Sequence, residues 1–475
     1  MKAYVPRVIV AAGAACLLLP VRPLPLTAQS DIAVHYRSDA RRILTAVREQ
    51  GRQWDKLVAL CDGIGPRLSG SAGDRASREW ALETMRSDGL ENVRSEPVLV
   101  PHWIRGDEEA SLIRPARRPL GLTTLGGSIG TPPGGLEADV VMVTSFDELE
   151  ALPDAEVRGR IVLFNVPMRR TDRSMAGYGE AVAYRSGGPA AAARKGAVAC
   201  LVRSVGTGPA ANLHTGVMQY VDGVPPIPAA ALTMADAGAL ARLCDAGRRV
   251  RVRLRLGART MPHVNGANVI GELVGRERPD EVVVIGGHLD SWDLGTGAHD
   301  DAAGCIQAME AARLLLALDL RPRRTIRVVL FAAEEMGELN GGNGYARRHA
   351  GQVHDHVAAI ESDAGAGPLI GFSAGGTTES GYAVLRSILS LLEPIGATEL
   401  RIGGGGPDIG PLGTEGVPVL ALWPDVSRYF DYHHSAEDVV ENIDPVLLAD
   451  GTAAMAVMAY ILADIQTPLP RAEGR

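Results

Sequence analysis

The alternation of strand-like and helix-like segments after Asn265 constrains the fold of this chain more than any other feature. Short β-branched runs lie at 281–287, 325–333, 356–362 and 416–422, and helical patterns lie at 302–318, 382–392 and 445–465. Strands that alternate with helices in this way form parallel sheets whose faces are covered by the helices. We therefore predict an α/β fold with a mostly parallel central sheet flanked by helices.

The residues before Asn265 divide into two parts of different composition. Residues 51–114 contain two helical patterns and are assigned, with 263–470, to the domain that holds the central sheet. Residues 115–262 are rich in Gly, Ala and Pro and contain four β-branched runs, VVMVTS, RIVLFNV, VACLVRS and VRVRLRL. We predict that they form an inserted β-rich module with few helices, in which His214 is an ordinary loop residue.

The N-terminus has the features of an export signal. Residues 1–28 begin with Lys2 and Arg7, continue through an apolar run and end in Leu26-Thr27-Ala28, which predicts a signal peptide and a secreted or periplasmic protein. Lipoprotein anchoring at Cys16 is less favoured, because four apolar residues follow that cysteine. Residues 29–50 are predicted to form an N-terminal helix or a pro-segment. We expect no membrane span, since no later stretch approaches 18–20 apolar residues.

Charge and cysteine content exclude several classes of function. The formal net charge is −8, which disfavours binding to nucleic acid or to an anionic membrane. The cysteines beyond the leader are far apart and form no CxxC motif. Neither a cysteine zinc site nor a dense disulfide framework is therefore indicated.

Acidic and imidazole side chains recur where the predicted strands end. Because the carboxyl ends of parallel strands lie at one edge of a sheet, we expect these side chains to converge. Imidazoles and carboxylates without cysteine suit a catalytic zinc or a similar divalent ion. The residues concerned are His288, Asp290, Asp300, Asp301, Glu334, Glu335, Glu361, Asp363, His433, His434 and Asp438.

The charges of such a site balance if it holds two metal ions. Two Zn²⁺ ions would neutralise the carboxylates of Asp300, Glu335 and Asp363 together with one hydroxide, so the site could be buried. Glu334 and Glu335 are adjacent and should point in different directions at a strand end, so that one binds metal and the other serves as general base. Asp301 is interpreted as the N-cap of the following helix.

Several segments of the chain, in this order, resemble the di-zinc exopeptidase family of secreted aminopeptidases, and within it the carboxypeptidase Q-like members most. The segments are LCDGIGPRLSGS, GLENVRSEPVLVPHWIRG, GGHLDSWDLGTGAHDDAAG, AAEEMG, ESDAG and HHSAEDVVENIDP. The resemblance implies a zinc exopeptidase fold in which the 115–262 insertion is a protease-associated domain. It also implies that a metal-bridged hydroxide hydrolyses peptide bonds. The implied substrates are dipeptides with free termini, and the implied active form is a homodimer.

The same resemblance implies a role for each candidate residue. Glu334 would be the general base, and Asp290 would be the acid that orients a histidine ligand. His434 is preferred to His433 because the family's histidine precedes an acid by four positions, which Asp438 satisfies. The implied ligands are His288 and Asp363 for one zinc ion, Glu335 and His434 for the other, and Asp300 for both.

Two departures from the family pattern leave the substrate pocket open. His433 stands where many relatives carry a tyrosine, and Pro407-Asp408 follows two glycines where relatives carry a serine and an aspartate. His433, Asp408 and Trp292 are candidate substrate-binding residues, although Trp292 could equally pack its loop. Four other histidines are expected on the surface or in loops, namely His299, His349, His354 and His356.

Two further functions remain as alternatives. Within enzymes, the chain could be an aminopeptidase that acts on longer peptides. From another class, it could be a non-catalytic receptor or scaffold that keeps the peptidase fold. Such a scaffold would be expected to lose ligands or the general base, and this sequence retains candidates for all of them.

Overall fold

The computed structural model describes residues 26–337 and 339–472. Cys16 and all but the end of the predicted signal peptide lie outside these residues. The strands are β1 (Glu91–Ile104), β2 (Glu108–Arg114), β3 (Arg118–Leu120), β4 (Leu122–Thr124), β5 (Leu136–Val143), β6 (Ile161–Phe164), β7 (Ala199–Arg203), β8 (Ala229–Leu232), β9 (Arg251–Leu256), β10 (Arg259–Leu273), β11 (Arg278–His288), β12 (Arg324–Phe331), β13 (His356–Glu361), β14 (Leu369–Gly375), β15 (Glu399–Ile402) and β16 (Val419–Pro424).

The α-helices surround two sheets built from these strands. They are α1 (Leu26–Gln50), α2 (Gln53–Cys61), α3 (Ala72–Ser87), α4 (Phe146–Ala151), α5 (Asp154–Val157), α6 (Ala176–Ser186), α7 (Gly188–Arg194), α8 (Met234–Asp245), α9 (Ala303–Ala317), α10 (Gly341–Arg348), α11 (Glu379–Leu389), α12 (Gly410–Thr414), α13 (Tyr429–Tyr432) and α14 (Pro445–Asp464).

The first sheet has the order β1-β10-β12-β11-β13-β16-β14-β15. Its four central strands, β12, β11, β13 and β16, are parallel to one another. Helices cover both faces of these strands, and every residue of β13 is buried, as expected for the apolar run HVAAIE. The predicted α/β fold with a mostly parallel central sheet is therefore confirmed.

The pairing of β1 with β10 at one edge of this sheet is not evident from the sequence. The two strands are antiparallel and are paired from Glu91↔Glu272 to Ile104↔Arg259. They lack the regular alternation of apolar and polar residues because Pro97 and Pro101 interrupt β1, and the exposed first half of β10 is polar. Because β2 follows β1 and β9 precedes β10, this antiparallel strand pair connects the first sheet to the second.

The largest core lies between the first sheet and the helices α1, α9 and α14. The helix predicted over 30–50 is present as α1, and the Tyr36 hydroxyl donates a hydrogen bond of 3.0 Å to Asp464 at the end of α14. Contrary to the expectation that no later stretch is apolar enough to span a membrane, α14 has the required length and composition. Most of α14 is buried against other elements, as in the core helix of a globular domain.

The second sheet contains the strands from β2 to β9, in the order β3-β2-β9-β5-β6-β7-β8-β4. It has apolar clusters of its own. Its strands extend from Glu108 to Leu256, whereas the insertion was predicted over 115–262. Five helices, α4 to α8, accompany it, so the expectation of few helices is wrong. Alanine-rich segments such as that of α7 favour helices even where they contain little hydrophobic periodicity.

The core position of α14 leads to a prediction about stability. Met455 is fully buried in α14, whereas Val446 in its first turn is 60% exposed. Met455→Ala should lower the free energy of unfolding by about 2–5 kcal/mol, because it removes buried contacts and leaves a cavity. Val446→Ala in the same helix should change it by no more than about 0.5 kcal/mol. Urea unfolding followed by circular dichroism measures both, and equal effects would contradict the assignment of α14 to the core.

Candidate metal centre

The predicted ligands lie at the carboxyl ends of the central strands. His288 is the last residue of β11, and Asp300 lies in the loop that leads to α9. Glu335 follows β12, Asp363 follows β13, and His434 follows α13. Parallel strands all have their carboxyl ends at the same edge of the sheet. Residues up to 146 positions apart in the sequence therefore share one site.

Asp300 is at the centre of this group. Its Oδ1 atom is 3.2 Å from Nε2 of His288, and its Oδ2 atom is 3.1 Å from Nε2 of His434. The Oδ1 atom of Asp363 is 3.5 Å from the same His288 nitrogen. The Oε2 atom of Glu335 is 3.0 Å from the His434 nitrogen. The two oxygens of Asp300 thus face two different sets of partners.

This arrangement fits divalent cations. Among the described residues, two triplets bring their potential ligand atoms within 4.8 Å of one another, namely His288, Asp300 and Asp363, and Asp300, His433 and His434. Oε1 of Glu335 is buried and has no hydrogen-bond partner within the described part of the chain. A buried carboxylate oxygen without a partner is costly unless a cation or water binds it. Imidazole nitrogens and carboxylate oxygens are ligands that suit zinc.

Neighbouring side chains hold the backbone and the ligands in place. The carboxylate of Asp290 accepts hydrogen bonds from the backbone N–H groups of Glu334 (3.0 Å) and Glu335 (3.3 Å). The carboxylate of Asp438 accepts two more, from His299 (2.6 Å) and Asp300 (3.2 Å). These acids therefore fix two of the segments that carry candidate ligands.

The orientation of His288 differs in detail from the expectation. Its Nδ1 donates to the backbone carbonyl of Asp290 at 3.1 Å, and the carboxylate of Asp290 is farther away, at 3.6 Å. The N-cap of α9 is Ala302 rather than Asp301, but Oδ1 of Asp301 accepts the N–H of Gly304 in the first turn at 3.0 Å. Its Oδ2 accepts the backbone N–H of His288 at 3.0 Å, so Asp301 also fixes the end of β11.

The electrostatics of the metal-free site retain protons on its bases. Burial opposes charge on His288, but the carboxylates of Asp290, Asp300 and Asp363 outweigh it and raise the pKa of His288 well above its usual range. Burial likewise opposes charge on His434, yet Glu335 and Asp300 raise the pKa of His434 well above the ordinary value. Burial raises the pKa of Glu335 to about 7. Protons therefore supply positive charge that a metal ion would replace.

A cleft of about 460 Å³ opens onto this group of residues. Glu334 lines it, next to the candidate ligands. Four lining residues come from the unit of the second sheet, so both sheets contribute to the walls. The lining residues are Met175, Tyr178, Arg185, Val217, Asp300, Glu334, Glu335, Gly337, Asp363, Tyr429, Phe430, His433 and His434.

The three candidate substrate-binding residues occupy different positions. His433 lines the cleft, and its ring is stacked on that of His434 at a centroid distance of 3.5 Å. Trp292 is buried, and its Nε1 donates to Oε2 of Glu335 at 2.6 Å, so it orients a candidate ligand. Asp408 is buried behind the site, where its carboxylate accepts the N–H of Gly342 at 3.2 Å, and it does not line the cleft.

Several buried residues were missed or misjudged in the sequence. His299, His349 and His356 are buried, contrary to the surface or loop positions expected for them, because they pack against aromatic rings such as Tyr432 and Tyr345. Arg67, in the segment GIGPRLSGS, is fully buried and donates to the carbonyls of Leu289 (2.7 Å), Thr296 (2.5 Å) and Gly297 (3.0 Å). It holds the loop that leads to Asp300.

His214 is a loop residue as expected, but its burial is not evident from the sequence. It lies in a loop of the second-sheet unit but is fully buried. Its Nδ1 donates to the backbone carbonyl of His433 at 2.8 Å. No local sequence pattern indicates this contact, since the two residues are 219 positions apart.

Known proteins similar to this chain share its length as well as its fold. The sequence profile of peptidase family M28 matches residues 268–459. Carboxypeptidase Q of Bos taurus is 39% identical over 441 residues, which cover 92% of this chain and 91% of that protein. Carboxypeptidase Q of Homo sapiens is 39% identical over 424 residues, which cover 89% of this chain and 88% of that protein.

Solved structures show the same architecture. A peptidase M28 precursor from Shewanella amazonensis SB2B superimposes with a TM-score of 0.90 at 37% identity, covering 93% of this chain and all (100%) of the other. A zinc aminopeptidase from Bacillus subtilis superimposes with a TM-score of 0.63 at 21% identity, covering 88% of this chain and 96% of the other, and shares the fold.

The protonation of the metal-free site leads to a prediction about metal binding. Because nearby carboxylates raise the pKa values of His288 and His434 well above the usual range, they favour the protonated form of both imidazoles when no cation is bound. Binding of Zn²⁺ to their Nε2 atoms should therefore release protons. Calorimetric titration of the metal-free protein in two buffers with different ionisation enthalpies measures this release. A binding enthalpy that is independent of the buffer would contradict the prediction.

Proposed function

The chain belongs to peptidase family M28, and on this basis we propose that it is a secreted, zinc-dependent exopeptidase that hydrolyses dipeptides with free termini. The observation that carries the proposal is the convergence of His288 and His434 on the two oxygens of Asp300, at one side of a cleft. Asp363 lies beside His288, and Glu335 lies beside His434. Export is proposed from the leader predicted over 1–28, and a homodimer remains a prediction.

We propose that the site holds two zinc ions. His288 and Asp363 would hold one ion, Glu335 and His434 would hold the other, and Asp300 would hold both. The separate partners of the two Asp300 oxygens support this division. When bound, the ions supply Lewis-acid polarisation of the scissile carbonyl and make the attacking water more acidic.

Glu334 is proposed as the general base. Its position in the cleft beside the candidate ligands is fixed from the backbone by Asp290, which accepts its N–H. Burial raises the pKa of Glu334 well above its ordinary value, and the nearby carboxylates of Asp363 and Glu335 add to this effect. A carboxylate of raised basicity can take a proton from water and deliver it to the leaving amine.

The walls of the cleft support the proposed dipeptide class. Residues of the second-sheet unit approach its edge, where Asp431 pairs with Arg170 at 2.6 Å and the carbonyl of Asp172 accepts the N–H of Val426 at 2.8 Å. These contacts flank the lining residues Tyr429 and Phe430 in the chain, and we propose that they restrict the cleft to short substrates. A dipeptide also carries a free carboxylate close to its scissile bond.

Arg185 is the candidate partner of that carboxylate. It is buried on α6 of the second-sheet unit, and it is the one arginine or lysine among the lining residues that the structure describes. Its guanidinium donates to the Tyr178 hydroxyl at 2.9 Å and to the Thr215 carbonyl at 3.2 Å. Its Nε is buried and has no partner within the described residues. A substrate carboxylate would satisfy this unused capacity for charge-assisted hydrogen bonds.

The role of Glu334 is tested by Glu334→Gln. The variant should still bind two zinc ions per chain, because the proposed ligands are unchanged, while kcat for a dipeptide falls by about 10²–10⁴-fold. Atomic absorption measures the zinc, and a chelator should abolish the hydrolysis by the unmodified protein. Glu415→Gln, at an exposed position, is the matched control and should leave kcat unchanged. A zinc-free, folded and inactive protein would instead support a scaffold.

The role of Arg185 is tested by Arg185→Met, which keeps the length of the side chain and removes the charge. The ratio of kcat/KM for a dipeptide to kcat/KM for its C-terminal amide should fall by about 10–100-fold, the equivalent of a hydrogen bond to a charged group. Arg169→Met, which alters an exposed arginine of the same unit, is the control. A ratio that does not change in Arg185→Met would exclude carboxylate recognition by Arg185. Faster hydrolysis of longer peptides by the unmodified protein would favour an aminopeptidase.

A further inference from the structure

A loop of the second-sheet unit, residues 204–215, lies against the segment 430–434 that carries a proposed zinc ligand. Two backbone hydrogen bonds and one side-chain hydrogen bond join the loop to the backbone of this segment. The N–H of Thr207 donates to the carbonyl of Phe430 at 2.9 Å, and the N–H of Thr215 donates to the carbonyl of His434 at 2.9 Å. The third bond is the one from Nδ1 of His214 to the carbonyl of His433 at 2.8 Å.

The same loop contacts the imidazole of His434. Nε2 of this ring faces Asp300 and Glu335, while Nδ1 is 3.3 Å from the carbonyl oxygen of Thr215. The Arg185 guanidinium also lies 3.4 Å from Nδ1. In the tautomer with a proton on Nδ1, that proton is donated to the Thr215 carbonyl, and Nε2 offers its lone pair to a metal ion. An outer partner of this kind fixes the tautomer and the orientation of a histidine ligand.

The backbone of His434 needs such support. Its φ is +58°, in the left-handed region that residues other than glycine adopt at a cost. Residues persist in such conformations where their surroundings fix them. Here hydrogen bonds from the 204–215 loop bind the carbonyl before His434 and the carbonyl of His434 itself.

The surroundings of His214 favour its hydrogen bond to the His433 carbonyl. Its ring is fully buried, and its backbone N–H donates to the Ser204 hydroxyl at 3.1 Å. Burial lowers the pKa of His214 to about 4, so the ring is neutral at pH 7 and its one proton lies on Nδ1. Nε2 is buried and has no partner within the described residues. Among these residues, the ring therefore makes its hydrogen bond through Nδ1, to the His433 carbonyl.

We propose that His214 is a positioning residue of the zinc site, through which the second-sheet unit holds His434 in the geometry that binds the metal. The inference rests on the proposed function, because it takes His434 to be a zinc ligand. His214 does not contact the metal or the substrate. Its effect is exerted through the backbone of 433–434, and the Thr215 carbonyl next to it completes the support of the His434 ring.

The proposal is tested with two amide variants that differ in the position of the amide group. In His214→Asn the side-chain N–H₂ lies close to the position of Nδ1 and can donate to the His433 carbonyl. In His214→Gln it lies one bond farther out, near the position of Nε2. Competition of the full-length protein with a chelator of known zinc affinity should show near-normal binding by His214→Asn. His214→Gln should bind zinc about 10–100-fold more weakly at the His434 site, as is typical when the outer partner of a ligand is lost.

The zinc site of His288 and Asp363 is an internal control, since it should keep its affinity in both variants. Tyr220→Phe is a second control, because it removes a partly buried hydroxyl whose hydrogen bonds lie within the second-sheet unit. This hydroxyl donates to the Ile227 carbonyl at 2.8 Å and accepts the N–H of Ile129 at 2.9 Å. The zinc affinity of this variant should be unchanged. Thermal unfolding of the metal-free variants separates a loss of zinc affinity from a loss of folding.

Three outcomes would overturn the proposal. Equal zinc affinities of His214→Asn and His214→Gln would show that the position of the donor does not matter. A loss in Tyr220→Phe as large as that in His214→Gln would assign the effect to stability of the unit. Loss of zinc from both sites to the same degree would assign it to the whole domain. If the unmodified protein binds no zinc, the proposed function itself fails.

Discussion

The accumulation of carboxylates at one edge of the central sheet is the constraint on which the rest of the site depends. Asp300, Glu334, Glu335 and Asp363 lie together where β11, β12 and β13 end. Asp300 and Glu335 are buried, and Glu334 and Asp363 are partly buried. Buried negative charges in this number are tolerated only when cations or protons neutralise them. The raised pKa values of Glu334, Glu335 and Asp363 are the expression of that constraint in the metal-free protein.

The same constraint explains why other polar residues surround the site. Asp290 and Asp438 direct their carboxylates at backbone N–H groups next to the candidate ligands, and Arg67 directs its guanidinium at backbone carbonyls of the loop that leads to Asp300. Trp292 donates to Glu335. Each of these side chains makes its hydrogen bonds to other groups of the protein. They therefore hold the candidate ligands in place without binding the metal themselves. A site arranged in advance loses little freedom when the ion binds.

Much of the fold and of the ligand set could be predicted from the sequence, for a physical reason. Apolar runs mark the parallel strands, so the polar clusters that contain His288, Glu335 and Asp363 could be placed at one edge from the strand pattern. Which members of these clusters bind metal is implied only by the family resemblance. The pairing of β1 with β10 could not be found in this way, because interrupted and half-exposed strands lack a regular alternation of apolar and polar residues. The burial of His214 and the displacement of Asp408 from the cleft depend on tertiary contacts, which no local pattern encodes.

The same contacts between the two sheet units affect both the geometry of the candidate ligands and the access of substrate to the cleft. The loop that supports His434 belongs to the unit that supplies Tyr178 and Arg185 to the cleft. Arg185 even shares the carbonyl of Thr215 with the His434 ring, at 3.2 Å and 3.3 Å respectively. A shift of the second unit that widened the cleft would therefore also move the outer partner of a ligand. The proposed preference for short substrates is consistent with a cleft whose width is tied in this way to the position of His434.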